Sequence, residues 1–136
     1  MVTLPLGAAL EAIARLQLGE AIDQRDIEPR LAALRAADAP THLAFAFALQ
    51  ALADHELGRG DLAIARRYAH EAVVAATRSQ RDTAIVLAHD VAARVALAEG
   101  RKTAIHAEAV AAIDVSSLSV RAKLAHAELV RATLPV

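Results

Sequence analysis

Six histidines are spread along the chain, and histidine is the side chain that most often binds metal ions or transfers protons near neutral pH. They are His42, His55, His70, His89, His106 and His126. No two of them stand four residues apart and no His-Glu-x-x-His motif occurs, so the sequence contains no local zinc-binding pattern. A cluster of His55, His70 and His89 would need three separate helices to bring the rings together. We therefore expect solvated or singly hydrogen-bonded histidines, no metal site and no cofactor.

The other patterns that could support catalysis are incomplete. The serines lie in turn or cap contexts, and no nucleophile elbow surrounds any of them. The segment Gly58-Arg59-Gly60 lacks both the lysine of a phosphate-binding loop and a preceding strand. The chain has no cysteine, which excludes a thiolate nucleophile and a cysteine metal site. These observations predict a protein that is not an enzyme.

One ion pair stands out in the apolar segment between residues 83 and 99. Asp90 and Arg94 are one helical turn apart and are flanked by Leu87 and Leu97. On a helix these four residues share a narrow strip, while the other faces are almost entirely apolar. Two interpretations remain open: the strip is a ligand-binding surface, or it is a surface ion pair that contributes only tenths of a kcal/mol to stability.

The composition predicts a single all-α domain that covers residues 1–136. Of the 136 residues, 56% are hydrophobic and 2% are aromatic, and alanine and leucine favour helices. The formal net charge is −1, with acids and bases interspersed, which argues against a nucleic-acid-binding surface. The first basic residue, Arg15, follows the first apolar run, and the longest uncharged run, residues 39–53, is too short to cross a bilayer. We expect a soluble, cytoplasmic protein without membrane contacts.

Glycine, proline and capping residues divide the chain into about seven helices. The expected spans are 6–23, 27–37, 42–57, 62–79, 83–99, 103–114 and 118–133. Two turns have similar sequences: LGRGD begins at residue 57 and LAEGR at residue 97. We expect Gly58 or Gly60 to end the third helix in a left-handed conformation and Asp61 to cap the fourth. By the same logic, Asp82 should cap the fifth helix, Gly100 should end it, and Ser116 or Ser117 should cap the seventh.

The helices recur along the chain in a pattern that resembles a known family of helical repeats. Repeats begin near residues 12, 46 and 86, and small residues occupy equivalent places in them. These are Leu18-Gly19, Leu52-Ala53 and Ala92-Ala93 in the first helices, Gly60-Asp61 in the turn, and Ala65, Ala72 and Ala112 in the second helices. In this register the chain resembles tetratricopeptide repeats, which are helix–turn–helix units of about 34 residues. The resemblance implies antiparallel hairpins stacked as a short α-solenoid, with repeats at 12–45, 46–85 and 86–116 and a capping helix at 118–133.

The resemblance also implies a ligand groove lined by the first helix of each repeat. The strip of Leu87, Asp90, Arg94 and Leu97 occupies the groove positions of the third repeat. The equivalent residues are Phe47, Gln50, Asp54 and Leu57 in the second repeat, and Ile13, Leu16, Glu20 and Asp23 in the first. Acids outnumber bases in this set, which favours an apolar or basic peptide or helix as ligand. The basic clamp with which chaperone-binding members hold a C-terminal carboxylate is absent.

The last helix carries two apolar stripes on nearly opposite faces. Leu118, Ala122, Ala125, Leu129 and Ala132 form one, and Val120, Leu124 and Ala127 form the other. Packing against the sixth helix can bury only one of them, so the second is expected to be exposed and available for self-association.

Three functions follow from these observations. The first is a protein- or peptide-binding scaffold, similar in its alanine-rich composition to helical modules of bacterial regulators and part of a regulatory system. The second is a domain that forms homodimers through the last helix. The third is a small-molecule sensor with a ligand held between helical hairpins.

Overall fold

The computed structural model describes residues 42–131, and every regular element in that range is helical. The helices are α1 (His42–Arg59), α2 (Leu62–Ser79), α3 (Asp82–Ala98), α4 (Ala104–Val110) and α5 (Val120–Arg131), with one 3₁₀ turn at Val115–Ser117. The all-α prediction is therefore confirmed for this part of the chain. The first two expected helices, with Ile13, Leu16, Glu20 and Asp23, lie outside the described residues. The count of seven helices stays a prediction.

The two similar glycine turns have the same backbone geometry. Gly60 and Gly100 both adopt a positive φ, of 83° and 73°. After α1, the Asp61 N–H donates to the Glu56 carbonyl oxygen at 3.0 Å, and after α3 the Arg101 N–H donates to the Ala96 carbonyl oxygen at 2.7 Å. These bonds close the last turn of each helix and need a left-handed residue inside the loop. The prediction for Gly60 and Gly100 is thus confirmed, whereas Gly58 is still within α1.

The predicted cap of α2 is also present. The Asp61 carboxylate accepts a hydrogen bond from the Ile64 N–H at 3.2 Å, which satisfies one of the free donors of the first turn. The predicted span of this helix, Leu62 to Ser79, agrees with the structure.

Most helix ends lie within two residues of the prediction, but at three of them the capping or the length differs in a way that has a structural reason. Asp82 is the first residue of α3 and not its cap, and the preceding turn depends on Gln80, which has a φ of 57° without being glycine. Helix α4 ends at Val110, so Ala112, predicted within a helix, is exposed in the following turn. The cap of α5 is Ser119, whose hydroxyl accepts from the Ala122 N–H at 3.2 Å. Ser116 and Ser117 instead donate their hydroxyls to Asp114, which organises the 3₁₀ turn.

Helix α3 lies at the centre of the packing. It contacts α1 and α2 on one side and α4 and α5 on the other, while α1 also packs along α2. Two clusters of buried side chains meet on it. The first joins α1, α2 and α3 around Leu49, Tyr68 and Val91, and the second joins α3, α4 and α5 around Val86, Val110 and Leu129. Within the described residues, no helix is long and apolar enough to span a membrane.

The first cluster is built largely from alanine, which lets the helix axes approach closely. Ala72, on α2, is completely buried in it, so a leucine there would force its neighbours apart. We expect Ala72→Leu to lower the free energy of unfolding by about 1–3 kcal/mol in urea denaturation. The control is Ala63→Leu on the exposed side of the same helix, which should be nearly neutral. Equal effects of the two substitutions would contradict this packing.

Candidate functional site

The predicted pair of Asp90 and Arg94 is present and extends to a second helix. The Arg94 Nε–H donates to Asp90 Oδ2 at 3.2 Å, one turn away on α3. The Arg94 Nη1–H donates to Oδ1 of Asp54, on α1. One guanidinium group therefore joins two carboxylates from neighbouring helices. The side chains of Asp54 and Arg94 are 43% and 38% exposed, so this arrangement is accessible from solvent.

Electrostatics adds a third carboxylate to this face. Burial raises the pKa of Asp90, Arg94 opposes that rise, and the negative charges of Glu128 and Asp54 add to it. Burial would lower the pKa of Arg94, but its bonds to Asp54 and its attraction to Asp90 outweigh that effect and raise it. Glu128 belongs to α5, so charges from α1 and from α5 both act on Asp90 of α3. We call the surface formed by Asp54, Asp90, Arg94 and Glu128 the acidic face.

Glu128 was not predicted as a groove residue, because the sequence pattern indicated that α5 is the capping helix that follows the repeats. A signal was available: Leu124 and Glu128 are one turn apart, with the same order of apolar and acidic residue as Leu87 and Asp90. Leu124 is 65% exposed. The acidic face therefore has an apolar neighbour on α5.

The other predicted groove residues differ in how far their side chains are exposed. Leu97 is 63% exposed on α3, and Phe47 and Leu57 are partly buried against the core. Gln50 and Leu87 are each only 5% exposed. Leu87 belongs to the cluster between α3, α4 and α5, so its side chain serves packing.

As expected, one apolar stripe of the last helix is buried and the other is exposed. Leu118, Ala122, Ala125 and Leu129 are buried against the rest of the structure. On the other side Val120 is 75% and Leu124 65% exposed, and Ala127 is exposed as well. The described part of the chain thus leaves an apolar stripe of α5 in solvent.

A histidine pair lies on the opposite side of α3. The Nδ1 atoms of His89 and His106 are 2.9 Å apart, so one ring donates its N–H to the other. Burial, with repulsion from His106 second, lowers the pKa of His89 to about 4. Burial and then Arg101 lower the pKa of His106. Both rings are therefore neutral near pH 7, as a pair with one shared proton requires.

This pair was not predicted, because His89 and His106 belong to different helices and show no local spacing. His55, His70 and His89, the combination considered from the sequence, do not form a metal site. Among the described residues there is no group of three or more histidine, aspartate or glutamate side chains that could hold a metal ion. His126 fits the simpler expectation, since its Nε2 lies 3.1 Å from the Val110 carbonyl oxygen.

Comparisons of the chain with protein-family models, with curated proteins and with solved structures found no match. The resemblance to tetratricopeptide repeats therefore stays a prediction from the sequence.

The histidine pair predicts a pH dependence of stability. The pKa of His89 is about 4 in the folded chain against 6.5 as its ordinary value. Between these values the unfolded chain binds a proton that the folded chain does not. The contribution of His89 to the free energy of unfolding is therefore fully present above about pH 6.5, and it is lost as the pH falls towards about 4. We expect the free energy of unfolding in urea to fall between about pH 7 and about pH 5.5.

His89→Gln should reduce this dependence, because glutamine does not titrate. His70→Gln is the control, since the His70 side chain is exposed on α2. A pH dependence that is the same in wild type, His89→Gln and His70→Gln would show that the pair does not titrate as described.

Proposed function

We propose that the protein is a non-catalytic binding module that holds a basic, amphipathic helical segment of a partner protein on its acidic face. The observation that carries this proposal is the sharing of Arg94 between Asp54 and Asp90, on two helices. Arg94 and Asp54 are partly exposed, and Asp90 lies deeper, with 16% of its side chain exposed. A cytoplasmic location and a place in a regulatory system are part of the same proposal.

The charges of the acidic face favour a cationic ligand. Three carboxylates act on this surface, and Arg94 neutralises only one charge. Arg94 bonds to one oxygen each of Asp54 and Asp90. A carboxylate has room for more than one donor, so lysine or arginine side chains of a ligand have acceptors here. Such attraction across an exposed surface mainly increases the association rate and specificity, and it weakens with salt.

The apolar neighbours of the acidic face favour a helix over an extended peptide. Leu97 on α3 and Leu124 on α5 are both more than half exposed, and they flank the carboxylates. An amphipathic helix presents apolar and basic residues at spacings of three and four, which matches such a surface.

The order of the helices supports the same proposal. Alternate helices are in contact, α1 with α3 and α3 with α5, while α2 and α4 follow them as partners. This is the arrangement that the resemblance to tetratricopeptide repeats implies, with the first helix of each repeat on the ligand side. The acidic face draws its residues from α1, α3 and α5.

A synthetic peptide can test the acidic face directly. The probe is a fluorescein-labelled amphipathic helix of leucine, alanine and lysine, and its counterpart has glutamate in place of every lysine. We expect the lysine peptide to bind in fluorescence anisotropy at low salt and the glutamate peptide not to bind. The double variant Asp54→Asn with Asp90→Asn should weaken binding about tenfold, which corresponds to about 1.4 kcal/mol.

A matched pair of single variants distinguishes binding to the acidic face from attraction to the overall charge of the protein. Glu128→Gln should weaken the lysine peptide severalfold, whereas Glu108→Gln should leave its affinity unchanged. Both glutamates are exposed and both substitutions remove one charge, but Glu108 lies on α4. If the two variants weaken binding equally, the affinity depends only on the net charge of the protein, and the proposal is wrong. Circular dichroism establishes that each variant is folded.

Self-association is a second candidate function, favoured by the exposed stripe of α5. Within residues 42–131, Val120 and Leu124 are the two most exposed of the larger apolar side chains apart from Ile105. We expect light scattering on size-exclusion chromatography to show a dimer at high concentration. Val120→Ser with Leu124→Ser should give a monomer, and Val74→Ser, which changes an exposed valine of α2, should not. A monomer at every concentration would exclude this function.

A further inference from the structure

A pocket of about 430 Å³ lies between α2, α3 and α4. Its polar lining is basic or neutral: Arg66 and His70 from α2, His89 from α3, Arg101 from the loop after α3, and His106 from α4. Alanine, valine and isoleucine side chains form the remainder. Among the residues that the structure describes, no acidic one is part of the lining. Of the α3 residues, His89, Ala92 and Val95 line this pocket, and the helical repeat places them about opposite to Asp90 and Arg94.

The two arginines of the pocket converge on a carboxylate of the protein itself. The Arg101 Nε–H donates to Glu99 Oε1 at 3.2 Å, and Arg66 Nη1 lies 3.9 Å from Glu99 Oε2. Guanidinium groups from two separate segments thus meet at one carboxylate. Arg66 is 60% exposed and its contact with Glu99 is long, so this guanidinium group is available to an external carboxylate. Arg101 holds Glu99 Oε1 through both Nε–H and Nη2–H, so exchange at Arg101 breaks at least one of these bonds.

The histidine pair adds a hydrogen-bond donor without adding charge. Each neutral imidazole carries one N–H, and the bond between His89 and His106 uses the Nδ1 proton of one ring. The other ring accepts at Nδ1, so its proton is on Nε2. The pair therefore offers one Nε2–H and one bare Nε2 for further bonds. Two guanidinium groups against one carboxylate leave the surroundings positive, and Arg101 contributes to lowering the pKa of His106.

We propose that this pocket binds a small organic acid, with its carboxylate between Arg66 and Arg101 and its apolar part against the alanine and valine side chains of α2 and α3. The site is separate from the acidic face and has the opposite charge. A carboxylate is the natural ligand because Glu99 already presents that group to both arginines. The acid exchanges with Glu99 at the guanidinium groups, and the Nε2–H of the histidine pair orients it.

Hexanoate is a suitable probe, and hexanamide has the same chain without the charge. In NMR titrations we expect hexanoate to shift the imidazole signals of His89 and His106 saturably, and hexanamide to bind at least about tenfold more weakly. Arg66→Gln with Arg101→Gln should weaken hexanoate about tenfold. Arg78→Gln, an exposed arginine further along α2, is the control and should have no effect.

The decisive variant is Glu99→Gln, because it should strengthen binding. It removes the internal competitor and leaves both guanidinium groups for hexanoate, so affinity should rise severalfold. A purely structural role of Glu99 would weaken binding or leave it unchanged. Equal affinity for hexanoate and hexanamide, an unchanged or lower affinity in Glu99→Gln, or no saturable shift at the two histidines would each overturn the proposal. The double variant Asp54→Asn with Asp90→Asn should still bind hexanoate. This test therefore remains valid even if the acidic face does not bind the lysine peptide.

Discussion

The close packing of α3 is the constraint on which the other features depend. This helix contacts all four of the other described helices, and they approach it closely because its buried residues are alanine and valine apart from Leu87. Alanine buries little apolar area per residue, so the stability of such a core depends on short distances between helix axes. A larger side chain on any of these faces would separate two helices and thereby disturb the contacts of the third.

On a helix that is packed on several sides, partly buried polar side chains are stable where another group pairs with them. Between Ile85 and Ala96, α3 has three polar residues: His89, Asp90 and Arg94. His89 bonds to His106 of α4, and Arg94 joins Asp90 to Asp54 of α1. No fully buried side-chain nitrogen or oxygen of the described residues lacks a partner. These pairs fix the register of α3 against its neighbours, which an apolar surface of similar alanines would leave poorly defined.

Local features were predictable from the sequence, and contacts between helices were not. The turns at Gly60 and Gly100, the cap at Asp61 and the pair of Asp90 and Arg94 all depend on residues within one or two turns of each other. The bond from Arg94 to Asp54 spans 40 positions and that of the histidine pair spans 17, so no periodicity reveals them. Helix α4 ends at Val110, and Asp114, predicted as its last residue, instead accepts bonds from Ser116 and caps the following 3₁₀ turn.

The two sides of α3 carry opposite charge, and this links the two proposed sites. The acidic face and the basic pocket lie on different sides of α3, so their charges are separated by at least about the diameter of one helix, roughly 10 Å. Two unit charges at that distance interact by about 0.4 kcal/mol in water and by more across the interior of a protein. A cationic helix on the acidic face makes the potential at Arg66 and Arg101 more positive and so favours an anion in the pocket. The same coupling acts in reverse, because linkage between two binding sites is reciprocal. Packing that holds α3 between two layers therefore also places the two ligands close enough to sense each other's charge.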